Sequence, residues 1–386
     1  MIEITPDIKY IGVDDTDLDL FESQYIIPNG ISYNSYLIID EKVAVMDSVD
    51  SRKQAEWLAN LDSALAARQP DYLVVQHMEP DHAGCITAFM ARYPEAKIVA
   101  SARAIDMMLQ FFEGVDFTDK TIAVGEGETL SLGEHELQFF TAPMVHWPEV
   151  IVTYDKHDKV LFSADGFGKF GALATDEEWA CEARRYYFNI CGKYGVQVQA
   201  LLKKAATLDI ECICPLHGPV LKENLGYYIG LYDTWSSYGV ETEGIFIAYA
   251  SIHGGTAAVA NRLAEILRAK GAPKVSVADL SRDDMAEAVE DAFRMDRLVV
   301  AAASYDGDVF PPMHDFLHHL KIKAYQKRRV GIIENGSWAP CAARVMRSML
   351  ETMKDVEIVE PVVTIRSRMK QTDVPALEAL ADALLN

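Results

Sequence analysis

The chain is 386 residues long, 50% apolar and 24% charged, with a formal net charge of −22 at pH 7. That length exceeds one ordinary domain and supplies apolar material for two cores, while the acidic balance argues against nucleic acid or anionic membrane as a partner and serves solubility. No apolar run approaches a membrane span. The N-terminal residues lack the basic-then-apolar order of a signal peptide. The six cysteines include no Cys-x-x-Cys pair and read as reduced thiols of a cytoplasmic protein.

In chain order, residues 36–40 and 43–47 flank Glu41-Lys42 as a hairpin, followed by a helix near 51–65 and an apolar strand at 72–75. A helix is expected near 84–93, a strand at 137–142, and a second hairpin from 150–154 and 160–163. Apolar residues every three or four positions predict a long helix over 178–206. In the strand at 210–216, Cys212 and Cys214 project to one side as buried structural thiols. After residue 242 the rhythm changes. Strands at 245–250, 275–279, 298–303, 330–334 and 356–363 alternate with helices at 256–270, 282–294, 312–322, 339–354 and 374–385. Ser281 is the expected N-cap of the second of these helices, with Asp284 as its acidic reciprocal. Five strands and five helices in alternation imply a doubly wound parallel sheet, so the chain divides into residues 1–242 and 243–386.

The chemistry concentrates where strands end. His77-Met78-Glu79-Pro80-Asp81-His82 follows the strand at 72–75 and packs two imidazoles and two carboxylates into six residues. His146 follows the next predicted strand end, Asp165 follows Val160-Leu161-Phe162-Ser163, and His217 follows Cys212-Ile213-Cys214-Pro215-Leu216. Strand ends of one sheet converge on one pocket in α/β folds. His77, Glu79, Asp81, His82, His146, Asp165 and His217 exceed the three ligands that one catalytic metal needs, which implies two metals. His135 and His157, the other histidines of this half, lie in polar turns and are set aside.

In the second half, Ser251-Ile252-His253-Gly254-Gly255-Thr256 joins the first strand to the first helix, where hydroxyls and free N–H groups suit a phosphate. Ser304-Tyr305-Asp306-Gly307-Asp308 follows the third strand, and Asn335-Gly336-Ser337-Trp338-Ala339 the fourth. Ligands of doubly wound sheets sit at such carboxyl ends. No Gly-x-Gly-x-x-Gly fingerprint is present, which disfavours a Rossmann-bound dinucleotide.

The His-x-His-x-Asp-His motif of metallo-β-lactamase hydrolases carries His at its third position, where this chain has Glu79. With that substitution the pattern resembles the flavodiiron proteins, and the resemblance spans essentially the whole chain. It implies a metallo-β-lactamase-like αββα sandwich followed by a flavodoxin-like five-stranded parallel sheet. It also implies FMN and two non-haem Fe ions as cofactors. His77, Glu79 and His146 would hold the iron nearer the flavin, Asp81, His82 and His217 the other, and Asp165 would bridge them. Ser251 and Thr256 would bond the FMN phosphate, and Tyr305 and Trp338 would wall the isoalloxazine ring. The resemblance further implies reduction of O2 to water, of NO to nitrous oxide, or both. Electrons would come from an external donor, a rubredoxin-like protein or a reduced deazaflavin. A head-to-tail homodimer or dimer of dimers is implied as well.

The chain departs from the family pattern in three places: a short segment between Asp165 and His217, Gly255 where Asn is frequent, and Pro340-Cys341 in place of a glycine-rich stretch. Tyr186 and Tyr187 are read as packing residues of the long helix, with a hydrogen-bonding role beside the metals as the alternative. The first competing function is a zinc hydrolase fused to a flavodoxin-like domain. The second is a non-enzymatic electron carrier.

Overall fold

A computed structural model of the chain describes residues 2–386. Its contacts divide into two compact units, the chain up to Tyr187 with Val196–Asp233, and Phe188–Gly195 with Thr234–Asn386.

The first unit opens with β1 (Ile2–Glu3) and β2 (Ile8–Tyr10). Two short antiparallel pairs follow, β3 (Val13–Asp15) with β6 (Ile31–Tyr33) and β4 (Leu20–Phe21) with β5 (Tyr25–Ile26). The expected first hairpin is β7 (Tyr36–Ile39) and β8 (Val43–Met46), after which come β9 (Tyr72–Val75), β10 (Lys97–Ser101) and β11 (Thr121–Val124). These build a seven-stranded sheet in the order β1-β2-β7-β8-β9-β10-β11, antiparallel as far as β8 and parallel from β8 onward. A five-stranded sheet faces it, made of β12 (Thr129–Ser131), β13 (Glu136–Thr141), β14 (Ile151–Asp155), β15 (Val160–Phe162) and β16 (Cys212–Cys214).

The sheets meet because strand side chains alternate faces. Tyr36, Ile38, Ala44, Met46, Tyr72 and Val74 share one buried cluster with Leu137, Phe139, Ile151, Val160 and Phe162. The alternate residues Leu37, Val45, Leu73 and Val75 are also buried, on the opposite face. Cys212 and Cys214 lie on the same side of β16 within this core, their sulfurs 3.9 Å apart.

The predicted helix 178–206 is two helices, Trp179–Ile190 and Gly195–Ala205. Two glycines within Cys191-Gly192-Lys193-Tyr194-Gly195 weaken helix continuation. The Tyr238 hydroxyl supports the break, donating to the Gly192 carbonyl at 2.9 Å and accepting the Gly195 N–H at 3.4 Å. Helices at Ala102–Phe111 and Leu225–Ser236 have no counterpart in the sequence reading. The first is capped by Ser101, whose hydroxyl accepts the Ala104 N–H at 3.1 Å.

The second unit contains β17 (Thr242–Ala250), β18 (Val275–Asp279), β19 (Met295–Tyr305), β21 (Arg328–Asn335) and β22 (Val356–Ile365) in a parallel sheet of order β18-β17-β19-β21-β22, with β20 (Asp308–Val309) folded back on β19. This is the expected doubly wound topology, and the order reverses at β17. One boundary differs. Asp284, not Ser281, caps the second helix, accepting the Ala286 N–H at 2.9 Å. The Asp279 carbonyl holds the N–H groups of Arg282 and Asp283 in a turn, both at 2.8 Å, so the helix cannot begin until Met285.

Arg328 is 2% exposed and its guanidinium donates to the carbonyls of Met295 at 2.7 Å, Tyr238 at 2.9 Å, Gly239 at 2.8 Å and Phe293. It thereby ties the segment before β17 to the sheet. Arg328→Met fills the volume but strands these carbonyls. Urea unfolding followed by circular dichroism is expected to register a loss of about 3 kcal/mol.

Candidate functional site

The local fold at His77–His82 is set by Pro80, which starts a one-turn helix (Pro80–Ala83) with Glu79 as its N-cap residue. Gly84 must follow, since a Cβ there would lie 2.6 Å from the Pro80 carbonyl oxygen and 2.9 Å from the Ser51 nitrogen. The Ser48 hydroxyl, donating to the His82 carbonyl at 2.6 Å, pins the end of the turn. The turn therefore presents Glu79, Asp81 and His82 in the same pocket as His77, which directly follows β9 by two residues.

Donor atoms of His77, Glu79, His146 and Asp165 form one group and those of Asp81, His82 and His217 a second, each group within 4.8 Å. In the first, His77 Nε2 lies 3.3 Å from Glu79 Oε2 and 3.2 Å from Asp165 Oδ2, while His146 Nε2 lies 3.0 Å and 3.3 Å from the same two oxygens. In the second, His82 Nε2 and His217 Nε2 each lie 3.3 Å from Asp81 Oδ2. Asp165 belongs to both: its other oxygen, Oδ1, is 3.2 Å from His82 Nε2 and 3.7 Å from His217 Nε2.

These spacings match a shared ion, because two donors each about 2.1 Å from one metal and about 100° apart lie about 3.2 Å from each other. Direct hydrogen bonding accounts only for the contacts of Glu79 with His77 and His146. Both oxygens of Asp81 and of Asp165, both nitrogens of His82 and Nε2 of His217 are buried with no hydrogen-bond partner. Each orphaned group costs about 1–3 kcal/mol unless something pairs with it. The donor set of imidazole and carboxylate suits zinc or iron, and the added carboxylate of Glu79 shifts it toward the harder ion.

Two residues that the sequence reading missed orient the imidazoles. Glu149 Oε1 accepts from His77 Nδ1 at 2.8 Å and from the Met78 N–H at 2.9 Å. His217 Nδ1 faces the Ser32 carbonyl at 2.7 Å. A carbonyl only accepts, so Nδ1 carries the proton and Nε2 turns its lone pair to the centre. No motif spacing signals Glu149, which lies 72 residues from His77 in sequence.

In the metal-free protein, burial by itself would lower His77, but Asp165, Glu149 and Glu79 hold it well above the usual imidazole range. Against the same burial, Asp165 and Glu79 push His146 up to about 9. Burial would raise Asp165, yet His77, His82 and His146 keep it well below the carboxylate range. The pocket is built around positive charge.

An aromatic wall stands beside the second group. The rings of Phe21, Tyr33 and Tyr186 have centroids 5.4, 6.0 and 5.5 Å from that of His217, and Phe170 packs on Phe21 at 5.7 Å and on Tyr186 at 5.1 Å. Tyr186 is thus a packing residue of this wall. Tyr187 is buried against Tyr232 at 5.2 Å.

In the second unit, a cleft of about 670 Å³ opens at the carboxyl ends of β17, β19 and β21, a volume suited to a cofactor. Of the predicted residues, Ser251, Ile252, His253, Gly255, Thr256, Ser304, Tyr305, Asp306, Gly307, Asn335, Gly336, Ser337, Trp338 and Ala339 line it, joined by Cys341, Ser367 and Arg368, which the sequence reading did not include. Gly254 instead supplies the left-handed N-cap (φ 82°) of the helix Gly255–Ala269, and Asp308 lines the adjoining cleft. Gly255 is required, since a Cβ there would lie 2.6 Å from the Ser367 carbonyl oxygen. That explains why Asn is absent. Ser251 Oγ is buried without a hydrogen-bond partner, while Trp338 is 88% exposed at the rim. An orphaned hydroxyl at a helix N-terminus and an uncovered indole fit a phosphate-bearing aromatic ligand.

Together these features define a metallo-β-lactamase-like unit with a paired-metal donor set, joined in one chain to a flavodoxin-like unit. Comparison with known proteins agrees. Residues 31–218 match the sequence model of the ODP family beta lactamase. The chain is 29% identical to a nitric oxide reductase of Moorella thermoacetica over 95% of its length and 93% of that protein. It is 28% identical to an anaerobic nitric oxide reductase flavorubredoxin of Vibrio vulnificus over 87% of its length and 70% of that protein. The structure superposes on the rubredoxin:oxygen oxidoreductase of Desulfovibrio gigas with a TM-score of 0.93 and 25% identity, covering 99% of this chain and 97% of that one. Over nearly its whole length the chain is therefore similar to these oxidoreductases, and it shares its fold with the flavodiiron protein of Giardia intestinalis at a TM-score of 0.88.

Glu149→Gln keeps the volume but removes the charge behind His77. It is expected to weaken metal binding about 10–100-fold, read as metal released to a chelator in competition with the wild-type protein.

Proposed function

We propose that this protein is an oxidoreductase that passes electrons from bound FMN to a pair of non-haem irons and there reduces O2 to water, NO to nitrous oxide, or both. The observation that carries the reading is Asp165, which turns one oxygen to each of two donor groups, one of them containing Glu79 rather than a third imidazole. His77, Glu79 and His146 would hold one iron and Asp81, His82 and His217 the other. When bound, FMN and two irons supply the four electrons that O2 needs to become water, along with open coordination positions for the gas.

The chain's own residues prepare the pocket. Glu79 contributes harder, more negative oxygen than imidazole, which favours iron and its ferric state. Glu149 and the Ser32 carbonyl fix the orientation of His77 and His217. Phe21, Tyr33, Phe170 and Tyr186 keep the approach to His217 apolar, which excludes water and admits a small uncharged gas.

In the FMN-binding part, assigned to residues 243–386 with the metal-binding part at 1–242, Ser251 and Thr256 would receive the phosphate. Tyr305 and Trp338 would flank the ring. The exposure of Trp338 supports a head-to-tail homodimer, or a dimer of dimers, in which one copy's flavin is covered by its partner. An external rubredoxin-like protein or a reduced deazaflavin would deliver electrons. All six cysteines are free thiols, which supports a reducing cytoplasm. Among the described residues no helix is long and apolar enough to cross a membrane.

Metal and flavin analysis together with an anaerobic titration test this function. Two irons and one FMN per chain, and a reduced protein reoxidised by O2 or NO, are expected. Two zincs with esterase activity would instead make the protein a hydrolase, and reoxidation by neither gas would leave it an electron carrier. Glu79→His is expected to lower iron occupancy and abolish gas reduction while FMN stays bound; full activity in that variant would refute the role given to Glu79.

A further inference from the structure

His135 sits in the turn between β12 and β13, yet it is only 1% exposed, and its backbone N–H donates to Asp40 Oδ2 at 2.7 Å. Asp155, the fully buried last residue of β14, places Oδ2 3.0 Å from His135 Nδ1. The same carboxylate oxygen accepts the Asp158 N–H at 3.0 Å and so shapes the turn that carries Asp158. With Nδ1–H given to Asp155, the lone pair of His135 falls on Nε2. That nitrogen is buried without a hydrogen-bond partner, as is Asp158 Oδ2. Donor atoms of His135, Asp155 and Asp158 lie within 4.8 Å of one another, and Asp7 Oδ2 stands 3.7 Å from His135 Nε2.

The charge around this cluster is unbalanced. Asp7, Asp40, Asp155 and Asp158 gather at the imidazole, while the lysines of the adjacent turn are engaged elsewhere, Lys156 with Glu136 and Lys159 with Asp209 and Glu211. Burial would lower His135, but Asp155, Asp158 and Asp40 raise it above the usual range. The location is separate from the paired-metal pocket. Ile151, at the other end of β14, bonds the Gln76 carbonyl beside His77, so the strand puts about 13 Å between the two places.

We propose that this turn cluster is a further metal site, binding a divalent transition ion such as Zn²⁺ through His135 Nε2 and the Asp7 carboxylate, with the buried, unpaired Asp158 oxygen as the third donor and Asp155 orienting the imidazole from behind. Imidazole with carboxylates is a borderline donor set that suits Zn²⁺ better than Ca²⁺ or Mg²⁺. The site does not depend on which ions fill the main centre.

Zn²⁺ titration of the protein carrying its full metal and flavin complement, followed by isothermal calorimetry with iron content counted before and after, tests the proposal. One additional equivalent is expected, bound at least 10-fold more weakly by Asp158→Asn and by His135→Gln, with iron and FMN content unchanged in both variants. Asp7→Asn, on a partly exposed side chain, provides a third variant should His135→Gln fail to fold, and is expected to weaken binding as well. No additional equivalent, or an equivalent that all variants bind as tightly as the wild type, would overturn the site. In that case His135 and Asp155 form only a structural ion pair between two turns.

Discussion

Asp165 is the constraint around which the first unit is organised. Its carboxylate is fully buried, each oxygen faces imidazoles of a different donor group, and neither oxygen has a hydrogen bond. A buried anion in that position is tolerable only if cations sit on both sides of it. The surrounding structure serves that demand. Pro80 and Gly84 force the turn that brings Glu79, Asp81 and His82 inward, and the two sheets converge their strand ends on the same point. The second layer of residues then decides which imidazole nitrogen faces the centre.

The two halves of the pocket are not electronically equivalent. The group with His77 has Glu79 as a ligand candidate and the Glu149 carboxylate behind its imidazole. The group with His217 has a neutral carbonyl behind its imidazole and an aromatic wall beside it. More negative charge on one side stabilises the oxidised form of an ion there, and the apolar side offers the drier approach for a gas. A difference of this kind suits a pair of metals that divide electron receipt and substrate binding between them.

Much of the fold was legible from the chain. The alternating strands and helices after residue 242 predicted the doubly wound sheet, since period-2 and period-3.6 patterns separate cleanly when elements are long. The errors fell where local signals compete. Helix periodicity ran through Cys191-Gly192-Lys193-Tyr194-Gly195, but two glycines and the Tyr238 hydroxyl stop the helix there. Ser281 had the look of a cap, but the Asp279 carbonyl holds that turn and hands the role to Asp284. Leu225–Ser236 escaped notice because its apolar residues are spread around the helix rather than confined to one face. The inward face of Ala102–Phe111 is short, with only Ala104 and Met108 buried.

From sequence alone it followed that His77, Glu79, Asp81, His82, His146, Asp165 and His217 stand at strand ends, and that three loops of the second half stand at the carboxyl ends of β17, β19 and β21. Such statements depend only on local periodicity and on residue type. Sequence could not reveal that Asp165 splits its oxygens between two groups, that Glu149 lies behind His77, or that Ser367 crowds Gly255. It also placed His135 only in a polar turn, when the residue is buried among four aspartates. Each of these is a contact between segments tens of residues apart or more, created when sheets and loops pack. Burial and donor geometry are properties of that packing, and no spacing along the chain encodes them.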